Sequence, residues 1–244
     1  LFINIRRYLH KTMEGNMSEN FENIEENNEE LSMDMIRLLT IDDFCQLLST
    51  PAPVPGGGSV SAYVASLGAA LVANLTSGKK KYAEYQDEIE DIIKAANILR
   101  DDLMEGISKD AESFLPLAGA YSLPANTEEE KRIKEKTLEE LLVVAASAPL
   151  ELIKKIIPAM EILERLTDIG TKLAISDVGT GLLLCDAAAT AAALNVYCNT
   201  KLMKNRELAN KMDEEADELL KRSFQIRANN LPKVIVSLRA DENI

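Results

Sequence analysis

From Gly56 to Leu75 the chain carries no charged side chain, and Gly, Ala and Ser alternate with Val and Leu. The run is too weakly hydrophobic for a bilayer segment and too uncharged for a solvated surface. It therefore predicts a buried helix, over 59–77, whose small residues let neighbouring helices approach closely. Its approach is Pro51-Ala52-Pro53-Val54-Pro55, which should run extended and stiff because proline fixes its own φ and disfavours helix in the residue before it. Gly56-Gly57-Gly58 then permit positive φ and leave backbone N–H groups open. A glycine loop feeding a helix start gathers unpaired N–H groups and the positive dipole end, which suits an anion. The same glycines equally serve a plain turn between packed helices, and the residues alone leave both readings open.

The rest of the chain repeats the helical period. Met33–Leu48 reads as a helix, with Thr40 and Asp42 placed to cap a restart. Between Tyr82 and Tyr121, Ile89, Ile92, Ile93, Ala96, Leu99, Leu103 and Ile107 recur at helical spacing, with Pro116 expected to bend or end the element. Thr127 with Glu130 forms a capping box for the next helix. Pro149 and Pro158 are expected to divide the chain beyond it into helices near 150–157 and 159–168. Ser176 and Asp177 should cap an Ala-rich helix reaching about Met203, and a last amphipathic helix is expected from Arg206 to Ala228. No stretch alternates with period two for long enough to be a strand. The fold class is thus all-α, an antiparallel bundle of long helices spanning 35–244, behind a solvated, acidic and disordered tail over 1–34.

Composition removes several chemistries. The formal charge of −13 argues against a nucleic-acid or anionic-membrane binder. The single histidine, His10, lies in the tail, so no His-based triad, metal site or general base is available in the core. Cys45, Cys185 and Cys198 follow no metal-finger or disulfide spacing, which suits a reducing, cytoplasmic setting and no bound metal. The runs Gly56–Leu75 and Ala187–Cys198 read as core or interface helices, the second being too short to span a membrane, and no signal peptide is apparent.

Acid–base chemistry must then fall to Asp, Glu, Lys, Tyr or Cys. Lys79-Lys80-Lys81-Tyr82 come soon after the uncharged run; they suit a helix C-terminus and would also attract a carboxylate-bearing ligand. They do not form a nucleotide-binding P-loop, because Ala73 stands where that motif needs glycine and Lys80 where it needs Ser or Thr. Asp110, late in its helix, is either solvent-facing or held near a cation. Asp177 reads as an N-cap acid. Asn195, in an apolar helix, must find a hydrogen-bond partner if buried.

Together, Thr50–Val60, Gly68-Ala69-Ala70-Leu71, Asn74-Leu75-Thr76, Gly78–Tyr82, Asp110-Ala111-Glu112-Ser113-Phe114, Leu123-Pro124, Glu129-Glu130-Lys131, Ser176-Asp177-Val178-Gly179 and Asn195-Val196 resemble the signature of the cyclodeaminase/cyclohydrolase family. The likeness runs over roughly residues 35–230. At Gly170-Thr171-Lys172-Leu173 the chain departs from the asparagine-containing run that many members carry.

The resemblance implies an all-helical homodimer that acts on a tetrahydrofolate one-carbon derivative, polyglutamylated or not, without metal or further cofactor. It implies that Asp110 and Lys80 are catalytic, and that Gly56, Gly57, Gly58, Ser59, Lys79, Lys81, Tyr82 and Asp177 bind substrate. The 5,10-methenyl substrate is a cation that a carboxylate would stabilise, while its glutamate tail suits the lysines and the helix start. Two reactions share that species: its hydrolysis to 10-formyltetrahydrofolate, and its formation from the 5-formimino compound with loss of ammonia. A stand-alone chain favours the hydrolysis. A non-catalytic folate-binding or scaffold dimer is the third reading.

Overall fold

The computed structural model describes residues 33–76, 85–169 and 175–239. A 3-10 turn, Met33–Leu38, leads into α1 (Ile41–Leu48), α2 (Gly57–Thr76), α3 (Gln86–Ala120), α4 (Glu128–Ile169), α5 (Ile175–Thr200) and α6 (Arg206–Leu238). Among the described residues there is no strand. Successive helices run antiparallel, as paired residues show: Ser59 meets Asp110, Arg165 meets Glu88, Asn199 meets Ala145, and Ser223 meets Asp186. The expected solvated tail over 1–34 falls almost entirely outside the described residues.

Local chemistry sets several starts. The Thr40 hydroxyl accepts from the Asp43 N–H, so the restart expected within 33–48 is capped by Thr40, and the part before it, Met33–Leu38, is a 3-10 turn and not α-helix. At α4, Glu130 N–H donates to Thr127 Oγ1 and Glu130 Oε2 accepts from Thr127 N–H, the reciprocal capping box. Asn205 caps α6 by accepting from Leu208 N–H.

Pro149 and Pro158 do not divide the chain as expected. Pro116, Pro149, Pro158 and Pro232 all lie inside continuous helices, so α4 is one helix rather than three, and α6 continues past Ala228. Proline removes one main-chain donor and so frees the carbonyl four residues back. Pro116, Pro158 and Pro232 are exposed, leaving water to serve those carbonyls. Pro149 is buried, and the carbonyl it frees, that of Ala145, accepts from Asn199 Nδ2 on α5 at 2.9 Å. A tertiary partner replaces the missing local bond.

α5 is central, packed against α2, α4 and α6. Ala188, Ala189, Ala192 and Ala193 of α5, and Ala62, Ala65 and Ala69 of α2, are fully or almost fully buried. A Cβ on Gly68 would lie 2.5 Å from Cys185 Sγ, and one on Gly181 2.8 Å from a Leu163 methyl, so these glycines set how closely the helices approach. By length and hydropathy α5 could cross a membrane, unlike the shorter run expected from Ala187. In this fold it is the core helix of the bundle.

Candidate active site

The start of α2 is where three helices converge. Val60 N–H donates to the Gly56 carbonyl, so the helix begins at Gly57, two residues before the expected Ser59, and Gly57 and Gly58 belong to its first turn. None of the three glycines adopts a positive φ. At Gly58 the requirement is closeness: a Cβ there would sit 1.9 Å from Asp110 Oδ1 and 2.5 Å from its Cγ. The approach is not uniformly extended either, since the Val54–Pro55 peptide is cis.

Asp110 projects from α3 onto that turn. Its Oδ2 accepts two hydrogen bonds from Ser59, one from the backbone N–H and one from the hydroxyl, both at 2.8 Å. Ser59 is itself completely buried. The positive group holding this acid is thus a helix N-terminus, with its unpaired N–H groups and dipole, and not a cationic side chain. Oδ1 accepts no hydrogen bond among the described residues. Asp110 keeps part of its surface in solvent, yet burial of the carboxyl raises its pKa above the usual aspartate value, against the opposing pull of the Ser59 bonds. One oxygen is anchored, and the other lies against Gly58 with no hydrogen-bond partner among the described residues.

Asn195 reaches the same turn from α5: a Cβ on Gly57 would lie 3.5 Å from both Nδ2 and Oδ1 of its amide. Its Nδ2 donates to the Ala191 carbonyl at 2.9 Å.

The structure brings Gly56, Gly57, Gly58, Ser59 and Asp110 together. It separates them from Asp177, which lies in the first turn of α5. The antiparallel contacts place Gly57 beside Asn195 and Gly68 beside Cys185. Asp177 therefore belongs to the opposite end of α2, about 27 Å away along the helix axis at 1.5 Å per residue. Lys79, Lys80, Lys81 and Tyr82, and the departure at 170–173, lie outside the described residues. The helix-start N–H and hydroxyl of Ser59, expected to receive a substrate carboxylate, are taken by Asp110. In the sequence Asn195 is a polar residue needing a partner and part of the family signature; its nearness to the glycine turn is seen in the folded chain. Two surface grooves lie elsewhere, one between α3 and α4 beside Ile92 and Ile162, the other beside Arg37 and Met104. Neither includes Asp110.

The fold and this turn define an all-α bundle that holds a desolvated carboxylate against the glycine-rich start of a core helix. Residues 40–218 match the formiminotransferase-cyclodeaminase family, and the chain belongs to it. It is 37% identical over 184 residues, 74% of this chain and 88% of the relative, to a methenyltetrahydrofolate cyclohydrolase of Methylorubrum extorquens. It is 29% identical over 180 residues to a formimidoyltransferase-cyclodeaminase of Rattus norvegicus, covering 72% of this chain and 33% of that protein. A solved structure, a formiminotetrahydrofolate cyclodeaminase from Thermotoga maritima, superposes with a TM-score of 0.69 at 30% identity, over 82% of this chain and 96% of that one.

Proposed function

We propose that the chain hydrolyses 5,10-methenyltetrahydrofolate to 10-formyltetrahydrofolate, with Asp110 as the catalytic base. The observation that carries this reading is the Asp110 carboxyl: desolvated, raised in pKa, fixed at Oδ2 and without a hydrogen-bond partner at Oδ1 among the described residues. A base works best when its pKa approaches the working pH, and burial moves Asp110 in that direction. Its negative charge also stabilises the cationic amidinium. Water attacks the methenyl carbon as Oδ1 takes one of its protons. The resulting carbinolamine loses its hydroxyl proton to solvent as the carbon–N5 bond breaks, and Asp110 returns its proton to N5. One proton is released overall, and the product carries a formyl group on N10.

The likeness to the M. extorquens protein over most of both chains supports hydrolysis. The likeness to the T. maritima structure favours the second reading, in which the same carboxyl serves ring closure of 5-formiminotetrahydrofolate with release of ammonia. Measuring methenyltetrahydrofolate absorbance with purified protein separates them: accelerated loss supports hydrolysis, and formation from the formimino compound supports deamination. Binding of folate with neither change would leave only a binding protein.

In this reading the protein is a cytoplasmic homodimer that needs no cofactor beyond its substrate. Leu183, Ala187, Leu194 and Cys198 form an exposed, uncharged face along α5, with Leu194 63% exposed, as a second copy would cover. A dimer also supplies a second set of Lys79, Lys80, Lys81, Tyr82 and Asp177. In one chain Asp177, and Thr76 just ahead of the lysines, lie at the end of α2 remote from Asp110. Lys80 as proton donor and the other lysines as contacts for the glutamate tail belong to this proposal.

A further inference from the structure

We infer that Asn195 is a substrate-binding residue of this site, its side-chain carbonyl accepting an N–H of the reduced pterin ring and so placing the reacting carbon over Asp110 Oδ1. The inference rests on the proposed folate reading and assigns a contact which that reading leaves open. Asn195 and Asp110 come from different helices, α5 and α3, and touch consecutive residues of the α2 start, Gly57 and Gly58. They are neighbours over one turn of backbone. Gly57 is exposed and Asn195 half-buried, so the amide stands at the lip of the site and not within the core.

The two halves of the amide have different duties. Nδ2 donates to the Ala191 carbonyl, which fixes the amide's orientation. That carbonyl already accepts the main-chain N–H of its own helix, so the fold does not depend on the extra bond. Oδ1 has no partner among the described residues. Behind it, Asn199 Nδ2 donates both to the Asn195 backbone carbonyl and to the Ala145 carbonyl, tying this part of α5 to α4. The result is an oriented acceptor, on a rigid helix, beside a carboxylate. A neutral acceptor complements a ring N–H donor and adds no second negative charge next to Asp110. A hydrogen bond of this kind, lost from a partly desolvated site, corresponds to roughly a 10- to 100-fold change.

The test is steady-state kinetics of methenyltetrahydrofolate hydrolysis and of formiminotetrahydrofolate cyclisation by the full chain as wild type, Asn195→Leu and Asn195→Ala. Calorimetric binding of tetrahydrofolate and thermal melting accompany it. Both variants should melt like the wild type, lose roughly 10- to 100-fold in kcat/KM and bind tetrahydrofolate correspondingly more weakly. Wild-type turnover with either folded variant within twofold of it in kcat/KM and binding overturns the assignment of Asn195 and leaves the proposed function standing. A wild-type protein that neither turns over nor binds folates overturns both. If Asn195→Leu fails to fold, Asn195→Ala, which suits a helix and adds no bulk, decides the matter.

Discussion

Oδ2 of Asp110 accepts both the backbone N–H and the hydroxyl of Ser59, each at 2.8 Å, across 51 positions of sequence. This one pair closes the start of α2 and orients the carboxyl. A side chain on α3 thereby does what an N-cap residue usually does for its own helix.

Burial makes the ionised form of Asp110 costly in the folded chain. Its folded pKa stands above the unfolded aspartate value, so between those two values the folded state binds more protons than the unfolded one. Stability contributed by the protonated carboxyl is present below the unfolded pKa and is lost as pH rises through the folded pKa. Asp110→Asn removes that loss. Its melting temperature relative to wild type should rise as pH is raised from below the usual aspartate range to neutrality. Melting curves of both proteins across this pH range check it, and a gap that shrinks with pH would contradict it.

The same sign governs catalysis. Activity that needs the carboxylate should fall on the acid side with a midpoint above the ordinary aspartate value. The Ser59 hydroxyl favours the carboxylate, so Ser59→Ala should move that midpoint further up in pH while the backbone bond persists. A pH–rate profile of the two proteins reads the shift directly. A midpoint moving down, or not moving, would remove Ser59 from the role of holding Asp110.

The glycines of the opening turn should differ sharply. Gly58→Ala drives a methyl into the Asp110 carboxyl and should abolish most turnover. Gly57→Ala makes only ordinary contacts with Asn195, and Gly56→Ala meets nothing within 4 Å, so Gly56→Ala should stay close to wild-type activity. Kinetics of the three single variants, beside circular dichroism, check the ranking.

At α4, Asn199→Leu strands the buried Ala145 carbonyl that Pro149 leaves without a main-chain donor. The expected cost is about 1–3 kcal/mol in urea unfolding. In a Pro149→Ala background the helix supplies its own donor to Ala145, so the same Asn199→Leu change should cost clearly less. Equal costs in both backgrounds would show that the two residues are not coupled.

Much of the bundle is legible in the sequence because periodicity, Thr40 and the Thr127–Glu130 box are local signals. The prolines mislead because their effect on a helix is local while its remedy is tertiary; Asn199 is 54 positions from Ala145. The site is half legible. Gly56–Ser59 announce a helix start suited to an anion, but nothing in the sequence marks that anion as the chain's own Asp110. The glycines suggest conformational freedom, whereas Gly58 is needed for proximity. Asp177 looks like a companion of Asp110 until the antiparallel packing of α2 and α5 sets them at opposite ends.

The most direct measurement is the decay of methenyltetrahydrofolate absorbance with purified wild-type and Asp110→Asn protein, at one pH and with both shown to be folded. The wild type should accelerate the decay well above the buffer rate, and Asp110→Asn should leave it at or near that rate. An Asp110→Asn protein turning over close to the wild-type rate would contradict the assignment of Asp110 as the base.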